Sequence, residues 1–398
     1  LDNVTSIGGC LSIWYNDALT ILTALDNVTS IGGDLEICDN DALTSLTGME
    51  NLTSIGEDLR IDGNFSLTSL TGLDNVTSIG GCLWIKNNAT LTNLTGLDNV
   101  TSIVGYLSIE INPALTSLTG LNNLSFIGGD LRIYYNSTLK SLTGLENVTF
   151  IGDDIWIHTN YTLTSLTGLE NVTSIVDSLI INYNIALTSL TGLDNVTSIG
   201  YLIIWDNDFL TSLTRLENVT TIGGDLTIWK NDALTSLTGL DNVTSIGGYL
   251  KVYDNAALTS LTGLDNVTNI GVDLWIKYNN ALISITGLDN VTSIGGTLSI
   301  RGNDALTSLT GLDNIDAASI VNLFITYNYS LSTCEVQSIC NYLSNPNGVV
   351  MIYGNATGCN NPPEVANACG ITLPCLPYGN YYFYTQTEID DFQTNYPG

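Results

Sequence analysis

One frame, Leu-x-Ile-x-x-Asn, returns down most of this 398-residue chain at a single spacing, as in Leu226-Thr227-Ile228-Trp229-Lys230-Asn231. The full unit reads Leu-Asp-Asn-Val-Thr-Ser-Ile-Gly-Gly-x-Leu-x-Ile-x-x-Asn-x-x-Leu-Thr-x-Leu-Thr-x from Leu1, and returns at Leu25, Met49, Leu73, Leu97, Leu121, Leu145, Leu169 and Leu193. The period is 24 residues; it slips once to 23, where Ile199-Gly200-Tyr201-Leu202 lacks a glycine, and resumes at Leu216, Leu240, Leu264, Leu288 and Leu312. Self-similarity at this period means stacked units sharing one continuous core, so chain length does not set a domain count here.

Within a unit the apolar positions are 1, 4, 7, 11, 13, 19 and 22, which is neither a helical period nor a long alternation. The chain must coil. Positions 11 and 13 lie two apart and face inward from one short strand, and stacked units then form a parallel sheet with strands about 4.8 Å apart. Position 16 is Asn in every unit: Asn16, Asn40, Asn64, Asn88, Asn112, Asn136, Asn160, Asn184, Asn207, Asn231, Asn255, Asn279, Asn303 and Asn328. An amide repeated at an inward corner predicts a ladder in which each side chain satisfies backbone groups of its own or the next coil.

Composition narrows the function classes. Only 12% of residues are charged and the formal charge is −30, so the basic stripe a phosphate backbone requires is missing and nucleic acid is excluded as a general partner. No apolar run reaches the length of a membrane-spanning helix, so membrane insertion is not expected. Cys10, Cys38 and Cys82 sit singly among the repeats, whereas Cys334, Cys340, Cys359, Cys369 and Cys375 crowd the C-terminal region. That crowding, without a Cys-x-x-Cys pair, argues for disulfides in an extracellular or cell-surface setting and against zinc. Cys334, Cys340, Cys359 and Cys369 are the candidates for two bridges, with their pairing open.

The Leu-x-Ile-x-x-Asn core resembles that of leucine-rich repeats, and more closely the receptor L-domain variant. It is most similar to the Leu-Thr-Ser-Leu-x-Gly-Leu arrays of large secreted bacterial surface proteins. The resemblance spans residues 1 to about 331 and implies a right-handed β-solenoid of 24-residue coils with a parallel sheet. Residues 332–370 are similar to the Cys-rich helical caps that close such arrays. There, Thr333 followed by Glu335, Val336, Ile339 and Leu343 predicts a capped helix ending before Pro346, Val350 to Asn355 imitates the strand frame once more, and Asn361-Pro362-Pro363-Glu364 predicts a second helix ending near Cys369. A cap covers the apolar face and strand edges that an open coil end exposes. Residues 371–398 are expected to be a linker and the start of a following array. Tyr381-Tyr382-Phe383-Tyr384 is read as a strand, and Thr385-Gln386-Thr387-Glu388 as a capping box.

Signals of catalysis are nearly absent: one histidine, His158, no phosphate loop and no nucleophile elbow. The chain is therefore expected to be non-enzymatic and to need no cofactor. Position 2 is acidic in thirteen of fourteen units, Asn122 being the exception, which predicts a solvated acidic edge in preference to a row bridged by calcium. Position 3 opens an Asn-x-Ser/Thr sequon at Asn3, Asn27, Asn51, Asn75, Asn99, Asn123, Asn147, Asn171, Asn195, Asn218, Asn242, Asn266 and Asn290. Two readings stand: a row of attached glycans, or turn chemistry that never meets a glycosyltransferase. Sequons at Asn64, Asn88, Asn136, Asn160 and Asn328 fall on the ladder, where modification is not expected.

The residues between the invariant ones carry the functional signal. All six tryptophans, Trp14, Trp84, Trp156, Trp205, Trp229 and Trp275, lie at outward or corner positions of the frame, joined by Tyr134, Tyr253 and other tyrosines and by seven of the nine basic residues. Strand propensity accounts for part of this bias. Aromatic planes beside Arg, Lys, Asp and Asn also suit sugar rings or a protein surface. The expected function is an extracellular structural or adhesion protein binding polysaccharide, a partner protein, a cell surface or its own copies in a fibre. A glycan-coated fibril subunit is the second reading.

Overall fold

The computed structural model describes residues 4–373 and 385–390. Compactness divides the chain into two units, Leu1–Phe209 with Thr214–Asn218, and Leu210–Leu213 with Val219–Gly398. Both are parallel β-solenoids built from the same coil.

In the first unit all but the last two coils have a short strand at positions 6 and 7 and a longer one at positions 11 to 14, as in Ser78–Ile79 and Leu83–Lys86. Stacking is in register, so Leu83 lies between Leu59 and Leu107, and Ile85 between Ile61 and Ile109. All seven apolar positions point into the coil. Leu73, Val76, Ile79, Leu83, Ile85, Leu91 and Leu94 are 0% exposed, and each such side chain contributes about 1.5–3 kcal/mol on burial. Like stacks on like because the period is constant, so no coil needs a shape of its own.

Two further positions fix the corners. At position 24 the coil turns with φ near +110°, as at Gly96, and a Cβ there would meet the Leu70 carbonyl oxygen of the preceding coil at 2.1 Å. Only glycine fits without strain. The amide of that glycine is satisfied by position 2: Gly96 N–H donates to Asp98 Oδ2 at 2.9 Å, and Gly120 N–H to Asn122 Oδ1 at 3.0 Å. The acids of this column, exposed or half-buried, therefore also act as turn-closing acceptors. A neutral Asn substitutes at 122 because the turn needs an oxygen, not a charge.

The amide ladder forms as expected. Asn88 accepts from the Asn64 backbone N–H at 3.2 Å and donates to the carbonyls of Ile61 at 3.0 Å and Lys86 at 2.8 Å. Asn16, in the first coil, is exposed, while Asn40 through Asn328 are 0% exposed. The 23-residue repeat loses its residue between the two strands. Ile175 pairs with Ile199 and Ser178 with Tyr201 across a register shift, and there the strands fuse into Ser174–Asn182 and Ser198–Trp205. The ladder survives, with Asn184 N–H reaching Asn207 Oδ1 at 3.2 Å.

The second unit repeats this coil through the strands Leu226–Trp229, Leu250–Tyr253, Leu274–Lys277, Thr297–Arg301 and Asn322–Thr326, and adds Val350–Tyr353 to the same ladder. Asn355 extends the amide column by accepting from the Asn328 backbone N–H at 3.0 Å. A helix at Gln337–Ser344 starts later than the sequence suggests: its N-cap is Val336, with no side-chain bond, and Thr333 is held instead in a parallel bridge with Ser308. Tyr342 on this helix is fully buried and donates to the Val321 carbonyl at 2.8 Å. The second helix, Pro362–Cys369, has its expected cap in Asn361, which accepts from the Glu364 N–H. Disulfides join Cys334 to Cys359 and Cys340 to Cys369, over separations of 25 and 29 residues; loops of that size are each worth roughly 3 kcal/mol. The capping box ahead of Ile389 coincides with a short helix at Gln386–Asp390. Cys375 and the expected strand at 381–384 lie outside the described residues.

Candidate functional site

Positions 12 and 14 of each long strand point outward, and position 15 then takes a left-handed conformation so that Asn16 can turn in. Tyr135, Thr159, Tyr183, Lys230, Tyr278 and Tyr327 all adopt it with φ between 50° and 60°. Bulky side chains rarely do so. Here the ladder bonds on either side of the corner hold them, and their side chains project from the face that carries the tryptophans.

In the first unit, Trp14 and Trp156 are 48% and 40% exposed, while Trp84, Tyr134 and Trp205 are half-buried. Trp84 lies between Arg60, 4.8 Å from its ring centre, and Lys86, at 5.6 Å. Those cations are themselves paired, Arg60 with Asp62 at 2.8 Å and Lys86 with Glu110 at 3.4 Å, and Arg132 pairs with Asp130. Tyr134 tilts against Trp156 at 6.1 Å. His158 stands edge-on to Tyr134, Tyr135 and Tyr183, and burial lowers its pKa from the ordinary 6.5.

In the second unit, Trp229 stacks on Tyr253 at 5.2 Å with ring planes 17° apart, and Lys230 lies 4.9 Å from the Trp229 ring. Lys251 covers Tyr249 at 3.9 Å and pairs with Asp225 at 3.7 Å; Lys277 covers Trp275 at 3.6 Å. Each contact of this type contributes about 0.5–1 kcal/mol at an exposed site. The strip therefore covers many of its own aromatic faces with its own cations, which explains how indoles are tolerated on an outward strand face. Among the described residues Lys230, Lys277 and Arg301 have no carboxylate within ion-pair reach, and of these Lys277 and Arg301 adjoin across neighbouring strands. Burial and then the neighbouring Arg301 guanidinium lower the Lys277 pKa from its ordinary value.

Beside Arg301 the outward face opens into a cleft of about 370 Å³ lined by Tyr278, Asn280, Arg301, Gly302, Asp304, Tyr327 and Tyr329. Its cause is Gly302, which interrupts the position-15 column between Tyr278 and Tyr327 with φ +65°. Asn280, Asp304 and Tyr329 stand at position 17, one residue past the ladder, which the sequence reading did not weigh. The signal that could have found the cleft is the Arg301-Gly302 pair, a glycine where neighbouring coils carry tyrosine.

Except for Asn3, which lies outside the described residues, the sequon asparagines at position 3 are exposed. Their amides stitch coils together: Asn75 Nδ2 donates to the Glu50 carbonyl and Asn99 Nδ2 to the Asp74 carbonyl, both at 2.6 Å. The sequon threonine does the same, Thr53 Oγ1 donating to the Thr29 carbonyl at 3.0 Å. Both residues that define the sequon thus have structural work in the coil, a reason of its own for the motif to recur. Asn64, Asn88, Asn136, Asn160 and Asn328 are fully buried. One trio of metal-type donors occurs among the described residues, Cys10, Asp34 and Glu57, within 4.8 Å of one another. It lies at the surface, with Cys10 Sγ donating to Asp34 Oδ2 at 3.6 Å, and its mixed thiol and carboxylate donors select no particular ion.

A parallel coil with inward Leu, Ile and Asn in every turn is a leucine-rich-repeat solenoid. Residues 75–168 match the receptor L domain, and residues 130–250 match six copies of the BspA type leucine rich repeat region. The repeats are thus a leucine-rich-repeat, receptor-L-domain-like solenoid. No curated protein gives a significant match. Solenoids of these families are typically non-enzymatic binding scaffolds, pointing to an interaction or surface role. No helix among the described residues is long and apolar enough to cross a membrane.

Proposed function

We propose that this chain is a non-enzymatic extracellular adhesion scaffold whose outward strand face binds polysaccharide at a cell surface. The observation that carries this reading is the partition within each coil. Positions 11, 13 and 16 hardly vary, while positions 12, 14 and 15 collect the tryptophans, most of the basic residues and many tyrosines. Aromatic planes flanked by Lys and Arg suit sugar rings, whose C–H faces pack on aromatic faces while their hydroxyls bond at the edges. The two disulfides suit an oxidising compartment. In the same reading the helical segment 332–370 is the cap of the array. The test is retention of the purified chain on a panel of polysaccharide-coated surfaces, with Trp205, Trp229 and Tyr253 replaced together by Ser. Undiminished retention of the triple variant refutes the proposed face, and retention by a protein-coated surface alone moves the function to a protein partner.

A further inference from the structure

The cleft at Gly302 combines a glycine at position 15, as also at Gly63, with an arginine that, unlike Arg60 in that coil, has no carboxylate within ion-pair reach. Its walls are the rings of Tyr278 and Tyr327, each 44% or 36% exposed, and its floor is a glycine against which the Tyr278 ring leans closely enough that a Cβ would meet Cδ1 at 2.6 Å. The Arg301 guanidinium lies 5.7 Å from one ring centre and 5.0 Å from the other. Its Nε is buried without a hydrogen-bond partner. In-register pairing sets Lys277 beside it on the adjoining strand, so two cations adjoin with no carboxylate in reach, on a chain of charge −30. Elsewhere Arg60, Lys86, Arg132 and Lys251 each have an acidic partner.

We infer that this cleft binds a carboxylate-bearing pyranose, one uronic acid residue of an acidic polysaccharide. This rests on the proposed polysaccharide-binding face and names the ligand class of one site on it. The guanidinium takes the sugar carboxylate, the geometry for which its planar fork is suited. The tyrosine rings take the C–H face of the ring. Asn280, Asp304 and the Tyr329 hydroxyl stand at the rim to bond ring hydroxyls, and the carboxylate of Asp304 disfavours densely charged ligands such as nucleic acid or heavily sulfated chains. The volume falls within the ~300–1,000 Å³ of small-molecule sites.

The experiment is calorimetric titration of the full chain with three tetrasaccharides: a uronic acid oligomer, its methyl ester and a neutral glucose oligomer. Arg301→Gln removes the cation, and Tyr327→Asn removes a wall with a residue that tolerates the left-handed backbone. Lys140→Gln, an exposed cation outside the strand face, is the control. We expect the acid oligomer to bind best, with affinity falling about tenfold or more in both cleft variants and on methyl esterification, the loss of a charge-assisted bond. Lys140→Gln leaves it unchanged, and circular dichroism of all variants matches the parent. Equal binding by Arg301→Gln or Tyr327→Asn overturns the site, as does equal binding of acid and ester. Failure of the parent chain to bind the acid oligomer also overturns it. In each of these cases retention on the polysaccharide panel, and its loss in the triple Ser variant, still decides the broader proposal by itself.

Discussion

Asn112→Ala is the most informative perturbation of the coil, because the side chain holds three buried backbone groups at once. Its Oδ1 accepts from the Asn88 N–H, and its Nδ2 donates to the carbonyls of Ile85 and Glu110, all at 3.0 Å. Truncation leaves those groups without these bonds in a site that is 0% exposed. At about 1–2 kcal/mol for each orphaned group the loss is about 3–6 kcal/mol. Asn112→Leu fills the space and leaves the same groups orphaned, so it costs a similar amount and separates hydrogen bonding from cavity formation. Asn99→Ala removes a single exposed bond, Nδ2 to the Asp74 carbonyl at 2.6 Å, and costs about 1 kcal/mol. Urea unfolding followed by circular dichroism ranks the three, and hydrogen exchange at the Asn88 amide locates the damage, since solenoid coils are stabilised mainly by their neighbours. If Asn112→Ala is no more destabilising than Asn99→Ala, or Asn112→Leu recovers the parent stability, the ladder is not what holds the corner.

Two further outcomes follow from the coil and its enclosed histidine. Arg215 occupies the glycine corner with φ 90°, and its exposed ion pair to Asp194 at 3.1 Å adds little; relief of roughly 1–3 kcal/mol of backbone strain, less the greater freedom of an unfolded glycine, makes Arg215→Gly more stable by about 1 kcal/mol, read as a higher urea midpoint. His158 has a folded pKa below the unfolded 6.5 because burial disfavours its charged form. The unfolded chain then binds more protons, so stability is complete above pH 6.5 and falls as pH drops below it; unfolding midpoints at pH 7.5 and pH 5 should differ more in the parent than in His158→Asn, and equal differences refute the assignment.

Much of the fold was legible in the sequence because a constant period converts linear spacing into columns. Leu83 beside Leu59 and Asn88 beside Asn64 follow from counting alone. The second C-terminal helix was equally legible, since Asn361-Pro362-Pro363-Glu364 carries its own start signal. The first was not: Thr333 looked like the cap, but it is held in a bridge with Ser308 and the helix begins at Gln337. For the site, the columns that gather Trp229, Tyr253 and Trp275 could be counted out, whereas the cations lying over those rings could not. Side chains of Lys and Arg reach in many directions, and packing chooses among them.

What the sequence alone determined is the repeating coil, its buried positions and its outward variable face, all of which depend on periodicity and residue polarity. Tertiary structure decided three other things. It showed that the acids of position 2 close glycine turns, that the sequon Asn and Thr bind the preceding coil, and that Gly302 opens a cleft beside an arginine with no acidic partner. Each depends on the direction of a backbone group or side chain in space, which register constrains but which only the sign of φ and the packing of adjoining coils select.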